Sequence, residues 1–577
     1  MNSGLDTRNL ILAAAFAGLI LIGWQYFYER PRQAQYNAYV AAKTEQQKKA
    51  AAAKAPVTET AESIVPRAQA LEGAPRLRIQ SPTLHGSINL KGARFDDLTL
   101  VKYRETVDPA SPEVVLLSPS RSKELYFAEF GWTAIDGLKL PDRDTVWKAD
   151  KDLLKPGETV TLSWENGEGL SFSMQVTLDE HYLFTITRKV ENRSGGEVTI
   201  TPYGRILRNV PAKLEAMAIL HEGPLGVFDG TLSESTYHDI AESGKQHFSG
   251  KQGWLGITDK YWLTALVPSP ETTFSATFSH LSQGEQSRLQ TDFSDAPATL
   301  PPGESHVLTD RLFAGAKEIP VLDGYAKNYS ITLFDRAVDY GWLYFLTKPL
   351  FFMPNFLNQH IGNFGVAILA LTVLVKLLMF PLANKSYKAT SKMKVLSPEI
   401  NRIRERHGGD PMKMNTEMMA LYKKYGVNPA SGCLPILIQL PVFFALYKVL
   451  YVSLEMRHAP FFGWIKDLSA PDPLHLLNGF GLLPHLTHPA WLSFLAIGLW
   501  PIIMCITTVI QQRMGPQPTD PVQEKVFKFM PYFFLFLFSS FPAGLVIYWA
   551  WSNALSILQQ WTINRMHGDA KPVRASA

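Results

Sequence analysis

Polar side chains that could receive a substrate lie inside long apolar stretches of this 577-residue sequence. The clearest example is Lys376, in the stretch 361–382, which at about 1.5 Å per residue is long enough to cross a bilayer core of about 30 Å. On a helix, spacings of three and four residues put Thr372 and Lys376 on one partly polar face. A charged residue that faces its own helical bundle usually serves a function. We therefore predict that Lys376 lines a wet cavity; the alternative is a lysine that reaches the membrane surface and only anchors the helix.

Other apolar stretches carry uncharged polar side chains at comparable depth. They are Gln439 in 433–452, Thr507, Thr508 and Gln511 in 491–512, and Tyr548, Ser552 and Asn553 in 543–561. Each one alone is weak evidence, because Ser and Thr in such helices often bond only to their own backbone. Together with Lys376 they predict a cavity that accepts polar peptide. No Asp or Glu lies deep in any of these stretches, which argues against proton or ion coupling.

The elements that must position these residues are predicted transmembrane helices. We predict six of them: an uncleaved N-terminal anchor within 1–28, then 361–382, 433–452, 491–512, 527–541 and 543–561. The last two follow from one long apolar stretch with a turn signal, Ser-Ser-Phe-Pro-Ala-Gly, in its middle. Segment 335–360 is aromatic and amphipathic but is interrupted by Pro349 and Pro354, so we expect it to lie in the membrane interface.

A second region has the pattern of a soluble β domain. Residues 29–75 are rich in Ala, Lys, Gln and Glu, which predicts a linker. From 76 to 325 apolar and polar residues alternate over repeated short segments, clearest in Leu170–Leu178, and this predicts a large antiparallel β-sandwich. The predicted fold class is therefore membrane α + β. The two cysteines, Cys433 and Cys505, and the spacing of the histidines indicate neither a disulfide framework nor a metal site.

The loop 383–430 decides the predicted orientation in the membrane. It holds ten Lys and Arg residues against four Asp and Glu residues, so the positive-inside rule makes it cytoplasmic. Counting spans from this loop puts both termini, the loop 513–526 and the tail 562–577 in the cytoplasm. The β domain and the loop 453–490 then lie on the opposite side.

Loop 383–430 is also predicted to form a helical hairpin. Ser397-Pro398-Glu399 is expected to open one helix, while Asp410-Pro411 opens the next and Gly426 caps its end. The predicted docking residues are Met412, Met418, Met419, Arg402, Arg404 and Arg406. Methionine suits adaptable apolar contact, although these methionines could equally hold the two helices together. The basic surface could meet anionic lipid, ribosomal RNA or the signal-recognition machinery.

Four blocks of sequence carry a resemblance to a known family. They are GNFGVAILALTVLVKLLMFPL, NPASGCLPILIQLPVFFALY, APFFGWIKDLSAPDP and FPAGLVIYWAWSNALSILQQ. They resemble the YidC family of membrane protein insertases, which is related to mitochondrial and chloroplast insertases, and the resemblance is strong over 335–565. It implies a five-helix core around a hydrophilic groove, and a periplasmic domain similar to the galactose-mutarotase β-supersandwich, in the bacterial inner membrane.

The resemblance also implies roles for particular residues. Lys376 takes the position of the groove's positive charge, where many relatives have Arg, and Arg has a planar fork that Lys lacks. Thr372 matches a groove threonine and Phe443 a substrate-facing aromatic residue. Tyr548 and Trp549 match a Tyr-Tyr pair of the family, from which the Trp departs.

The function that these observations predict is that of a non-enzymatic insertase and chaperone for membrane proteins, with no catalytic residue, cofactor or metal. Its predicted partners are nascent membrane proteins, membrane lipids and, by resemblance, the Sec translocon and its accessory subunits. The alternatives are a small-solute transporter and a membrane-anchored periplasmic sugar-active enzyme. A transporter predicts an internal repeat and an enzyme predicts paired acids or a His-acid group in the β domain; the sequence reveals neither.

Overall fold

The computed structural model describes residues 64–134, 137–211, 220–283, 286–341, 343–407, 410–426, 434–483, 495–514 and 521–567. The predicted anchor 1–28, most of the linker 29–75 and the end of the tail 562–577 lie outside these residues. Cys433 and the side chain of Gln439 lie outside them as well. The described residues form two compact units, 64–105 with 112–337 and 106–111 with 338–567.

The first unit consists mainly of β-strands. Its strands are β1 Arg76–Gln80, β2 Leu84–Asn89, β3 Arg94–Arg104, β4 Glu113–Leu117, β5 Tyr126–Thr133, β6 Lys148–Ala149, β7 Leu153–Leu154, β8 Thr159–Glu165, β9 Leu170–Leu178, β10 Leu183–Asn192, β11 Val198–Asn209, β12 Gly223–Phe228, β13 Thr231–Glu234, β14 Lys245–Gly250, β15 Gly253–Thr258, β16 Trp262–Val267, β17 Phe274–Gln283, β18 Gln286–Asp295, β19 Ala298–Leu300 and β20 Ser305–Ala316. Three helices accompany them: α1 Arg67–Leu71, α2 Tyr237–Ser243 and α3 Ile319–Asn328.

These strands form two sheets. One has eleven strands, in the order β14-β17-β18-β11-β5-β3-β2-β1-β7, with β19 beside β11 and β4 beside β3. The other has nine strands, in the order β13-β12-β15-β16-β20-β10-β9-β8-β6. Neighbouring strands run antiparallel except β1 and β7, which are parallel. The large antiparallel β-sandwich predicted from the alternating pattern is confirmed.

The alternation of apolar side chains explains how the sandwich closes. In β9 the apolar positions Leu170, Phe172, Met174, Val176 and Leu178 are all buried. Strand geometry sends successive side chains to opposite faces, so this one face packs into the core. The core joins the two sheets through aromatic contacts such as Phe95 on β3 against Phe184 on β10, with ring centroids 5.2 Å apart.

A buried arginine also ties the sheets together. Arg188 on β10 is 1% exposed and pairs with Asp310 on β20. It also donates hydrogen bonds across the core to the carbonyl oxygens of Gly131 on β5, at 2.9 Å, and Tyr203 on β11, at 2.8 Å. Asp295, at the end of β18, lies 3.5 Å from the same guanidinium. A buried charge requires partners of this kind, because desolvation without them costs several kcal/mol.

The β unit continues past residue 325, its predicted end. Leu322 and Tyr325 of α3 are buried, and a 3₁₀ turn follows at Phe334–Ala337. Phe334 is fully buried against Trp254 and Phe313 of the sandwich, with ring centroids 5.3 and 5.4 Å away. The unit therefore ends at Ala337, since these side chains have their apolar partners inside the sandwich.

The second unit is helical. Its helices are α4 Tyr344–Ile361, α5 Phe364–Leu378, α6 Phe380–His407, α7 Pro411–Lys424, α8 Leu434–Val452, α9 Leu499–Met514, α10 Pro521–Phe538 and α11 Ala543–His567. Among the described residues, no helix combines the length and the hydropathy that a membrane crossing requires. The expected turn between 527–541 and 543–561 does separate two helices, α10 and α11.

The apolar stretch 361–382 is divided among three helices. Ile361 ends α4, Gly362 adopts a left-handed conformation (φ +76°), and the Asn363 side chain accepts the amide of Val366 to start α5. The 15 residues of α5 are about 22 Å long, and the next helix, α6, begins beside Pro381. Lys376 consequently lies in the last turn of α5 rather than in the middle of a long helix.

Prolines interrupt the helices less than the sequence suggests. The structure contains α4 as one helix through Pro349 and Pro354, and α6 as one helix through Pro398. The predicted helix start at Ser397 is therefore wrong. Proline already has a helical φ angle, so each ring removes one backbone donor and strains a single turn, which a packed helix tolerates.

Helix α9 begins later than the predicted start at residue 491. Residues 495–498 are not α-helical, and the first helical amides are bound by the preceding loop. The carbonyl oxygen of Leu474 accepts the amide of Leu499, and the Asp472 carboxylate accepts the amide of Trp500 at 2.7 Å. Asp472 thus acts as an N-terminal cap from 28 residues away, which local sequence cannot reveal.

Candidate substrate groove and docking hairpin

Lys376 meets α11 through a serine. The ammonium Nζ of Lys376 donates a hydrogen bond of 2.8 Å to the hydroxyl Oγ of Ser556. That hydroxyl in turn donates to the backbone carbonyl of Ser552, one turn earlier, at 2.9 Å. The same two helices are joined by the indole N–H of Trp551, which donates to the carbonyl of Leu369 at 3.2 Å. Lys376 is half-buried, while Ser552 and Ser556 are buried.

A second polar contact joins α9 to α11. The side-chain amide of Asn553 donates to the hydroxyl of Thr508 at 2.9 Å and to that of Thr507 at 3.3 Å. Both threonine hydroxyls donate to the carbonyl of Met504, so they are positioned to accept from Asn553. We name the set Lys376, Ser552, Ser556, Asn553 and Thr508 the polar seam.

Thr372 lies outside the polar seam. Its hydroxyl donates to the carbonyl of Ile368 at 2.7 Å, four residues earlier in α5, and its side chain is buried. This is the back-bonding that Ser and Thr commonly adopt inside helices. Thr372 and Lys376 were expected to share one helix face and one cavity. Their side chains instead have different partners, since Thr372 bonds to its own helix and Lys376 bonds to Ser556.

The aromatic residues predicted for the groove form a separate cluster of α8, α10 and α11. Phe443 packs edge-on against Trp549, with ring centroids 4.9 Å apart, and stacks on Tyr548 at 6.5 Å. Trp549 also contacts Phe538 at 4.5 Å and Phe534 at 5.5 Å. Such pairs add packing energy beyond the area that they bury. The structure therefore places Lys376, Thr508, Ser552 and Asn553 in the polar seam and Phe443, Tyr548 and Trp549 in this aromatic cluster, while Thr372 belongs to neither.

Sequence reasoning missed two buried polar residues of α11. Ser556 is the partner of Lys376, and Gln560, 3% exposed, donates its side-chain amide to the carbonyl of Met514 at 2.7 Å. Ser552, Ser556 and Gln560 follow one another at intervals of four residues, so they share one face of the helix. That spacing in an otherwise apolar stretch is a signal that could have found both.

A second lysine in a predicted span was also missed. Lys448, near the end of α8, is 8% exposed, and its ammonium lies 2.6 Å from the carboxylate of Asp339. By contrast, no carboxylate among the described residues forms an ion pair with Lys376. Sequence alone does not distinguish the two lysines, because the partner of Lys448 is 109 residues away.

In the hairpin of α6 and α7, some of the predicted docking residues are packed and others are exposed. Met418 packs, with Leu421 and Tyr425, on a small core of Leu396, Ile400 and Tyr422. Met412 and Met419 are 83% and 61% exposed. Arg402 and Arg406 are exposed as well, and Arg404 is half-buried.

Caps fix the start and end of α7. The side chain of Asp410 accepts the amides of Met412 and Lys413, both at 3.2 Å, and Gly426 follows the helix with φ +62°. These are the caps that the sequence predicted for this helix. The surface-exposed methionines are therefore carried by a helix with defined ends.

Comparison with known proteins identifies the family of this chain. The family model for the YidC periplasmic domain matches residues 76–353, and that for the 60Kd inner membrane protein matches residues 356–570. A membrane protein insertase YidC of Rickettsia bellii is 50% identical over 561 residues, 97% of this chain and 99% of the relative. These matches define an inner-membrane protein that acts as a membrane protein insertase, with nascent membrane proteins as its substrates and with no enzymatic activity. The chain belongs to the YidC family.

Solved structures give weaker matches. An active YidC insertase crystal structure with its first transmembrane domain resolved covers 84% of this chain and 92% of its own, at 16% identity and a TM-score of 0.34. A galactose mutarotase-like protein from Lactobacillus casei covers 41% and 99%, at 12% identity and a TM-score of 0.29. Both TM-scores lie below 0.5, so the family assignment rests on the sequence matches alone.

Proposed function

We propose that Lys376 supplies a fixed positive charge that receives the polar flank of a membrane protein during its insertion. The observation that carries this proposal is the contrast between two lysines of the helical unit. Lys448 is neutralised by Asp339 at 2.6 Å, whereas Lys376 has a serine hydroxyl as its partner and, within the described ranges, no carboxylate. An ammonium without a counter-charge keeps its field available to an incoming acidic or polar segment.

The polar seam supports the same role by lowering the free-energy barrier to insertion. An apolar helix of about 20 residues is driven into lipid by hydrophobic transfer, so the costly step is passage of its polar end. The ammonium of Lys376, held in this seam by Ser556, offers hydrogen-bond donors to that end. The apolar helix then leaves sideways into the bilayer. No energy source beyond this transfer is required.

The membrane arrangement belongs to the same proposal. Six spans place both termini and the α6–α7 hairpin in the cytoplasm and the β unit in the periplasm. The ten Lys and Arg residues of 383–430 support this orientation. The boundaries predicted for the spans, the anchor 1–28 included, are part of what is proposed here.

Substrates are proposed to dock first on the hairpin. Met412 and Met419 offer exposed, adaptable apolar contacts, and Arg402 and Arg406 offer exposed positive charge on the same hairpin. This combination suits a nascent chain with an apolar segment and also suits anionic partners. The ribosome, the signal-recognition machinery and the Sec translocon are the proposed partners at this stage.

The test compares Lys376→Met and Lys376→Arg with the unchanged protein, using one substrate whose flank carries Asp, Asn or Lys. At an effective dielectric constant near 20, a charge pair about 8 Å apart is worth about 2 kcal/mol, which corresponds to roughly a 30-fold change in rate. We expect the Met variant to slow insertion most for the Asp flank, and the Arg variant to have a mild effect. If the defect of the Met variant is the same for all three flanks, Lys376 only anchors its helix.

A further inference from the structure

The hydroxyl of Ser556 is oriented before any substrate arrives. Its single proton is donated to the carbonyl of Ser552 at 2.9 Å, so only the oxygen lone pairs remain for other partners. Those lone pairs accept the hydrogen bond from Lys376 at 2.8 Å. Ser556 is 3% exposed, so its hydroxyl is shielded from bulk water. A hydroxyl that could rotate freely would not hold the ammonium at one point.

We propose that Ser556 is a positioning residue that holds the ammonium of Lys376 at its working depth; this inference rests on the function proposed for Lys376. A lysine side chain has four rotatable bonds, and its tip can otherwise extend along the helix toward a membrane surface. Lys376 lies in the last turn of α5. The sequence left two roles open for this lysine, a charge that lines a cavity and an anchor at the membrane surface. The contact with Ser556 favours the first.

The geometry also determines what Lys376 offers to a substrate. An ammonium group has three N–H donors, and Ser556 takes one of them. Among the described residues no other hydrogen-bond partner of Lys376 is present, which leaves two donors for a carboxylate or a backbone carbonyl of the substrate. Ser556 thus fixes the charge and sets the direction in which these donors point.

Removal of the Ser556 hydroxyl should leave the helices together. The contact of α5 with α11 retains the hydrogen bond from Trp551 to the carbonyl of Leu369. The contact of α9 with α11 retains those of Asn553 with Thr508 and of Gln560 with the carbonyl of Met514. Ser556→Ala is therefore a local change, and Ser556→Thr keeps the hydroxyl if Ala proves unstable.

Thr562 provides a matched control on the same helix. Its hydroxyl donates to the carbonyl of Leu558 at 2.8 Å, the same back-bond that Ser556 makes to Ser552, but its side chain is more exposed and has no contact with Lys376. Thr562→Ala removes a comparable bond from α11 without touching the polar seam. It should insert every substrate at the rate of the unchanged protein.

The experiment measures insertion rates into liposomes for substrates with Asp and Lys flanks, using Ser556→Ala, Ser556→Thr, Lys376→Met and the double variant of Ser556→Ala with Lys376→Met. Since a hydrogen bond to a charged group is stronger than a neutral one, we expect Ser556→Ala to slow the Asp-flanked substrate by about threefold to tenfold and the Lys-flanked substrate far less. Ser556→Thr should restore the rate. The double variant should be no slower than Lys376→Met alone, because a positioning residue acts through the group that it positions.

Two outcomes overturn the inference, and they are distinguishable from failure of the proposed function. If Ser556→Ala slows both substrates equally, or adds its defect to that of Lys376→Met, Ser556 contributes to packing alone. If Lys376→Met has no flank-dependent defect, the proposed function of Lys376 fails first and the role of Ser556 falls with it. Protein levels and melting temperatures of all variants separate these results from loss of folding.

Discussion

Replacing Met412 and Met419 together by Ser should weaken the capture of apolar substrates without destabilising the hairpin. The two side chains are 83% and 61% exposed, so the fold gains little from them. Met418 lies between the same two positions in sequence but packs on Leu396, Ile400 and Tyr422. Met418→Ser is therefore the matched control, with the opposite expected result.

The size of each effect follows from the buried area. Complete burial of a methionine side chain is worth about 1.5–3 kcal/mol, so half-burial of Met412 and Met419 under a substrate gives about 2 kcal/mol for the pair. This corresponds to a dissociation constant that is roughly 30-fold larger for the double variant. Met418→Ser removes packed apolar atoms and should instead lower the free energy of unfolding of the hairpin by about 1–2 kcal/mol.

The assay measures the affinity of a fluorescent apolar peptide for the full chain in detergent, with thermal unfolding of each variant measured in parallel. We expect weak binding and an unchanged melting temperature for the variant at 412 and 419. We expect near-normal binding and a lower melting temperature for Met418→Ser. Normal binding by the double variant, accompanied by a lower melting temperature, would refute the docking role and leave these methionines as packing residues.

Two further predictions concern the β unit. Burial, and then the adjacent carboxylate of Asp310, raise the pKa of Asp295 to about 6, so the folded state favours the protonated carboxyl and the stability that it contributes is lost as pH rises through 6. This carboxyl should add about 1 kcal/mol to the stability of the unit between pH 7.5 and pH 5, and Asp295→Asn should remove that part of the pH dependence. Native-state hydrogen exchange of β18 peptides measures both, and an unchanged slope in the variant contradicts the assignment. Replacing 76–337 by a Gly/Ser linker should leave insertion largely intact, because the polar seam and the hairpin lie in the other unit, and complete loss at normal protein levels argues against this.

The sequence predicted those features whose causes are local. The alternation of Leu170–Leu178 implied a strand with one buried face, because strand geometry has a period of two residues. Asp410 and Gly426 were identified as the caps of α7, since both act on backbone groups within a few residues. Lys376 was singled out because a charge in an apolar stretch is costly and therefore informative.

Features that depend on distant partners could not be predicted in this way. The true start of α9 depends on Asp472, whose carboxylate reaches the amide of Trp500 through the fold of the intervening loop. The ion pair of Lys448 with Asp339 likewise spans 109 residues, and without it the sequence does not distinguish Lys448 from Lys376. Ser556 differs, because its spacing from Ser552 was visible and only its contact with Lys376 required the structure.

The measurement that tests the central claim most directly is a charge reversal at Lys376. Insertion of one substrate with an Asp flank or a Lys flank is followed in liposomes without a membrane potential or an added energy source, for the unchanged protein and for Lys376→Glu. The fixed-charge account predicts that the unchanged protein inserts the Asp-flanked substrate faster, and that Lys376→Glu inverts this preference, by roughly tenfold or more in each direction. If Lys376→Glu inserts both substrates slowly while the original preference persists, the positive charge of Lys376 does not act on the substrate.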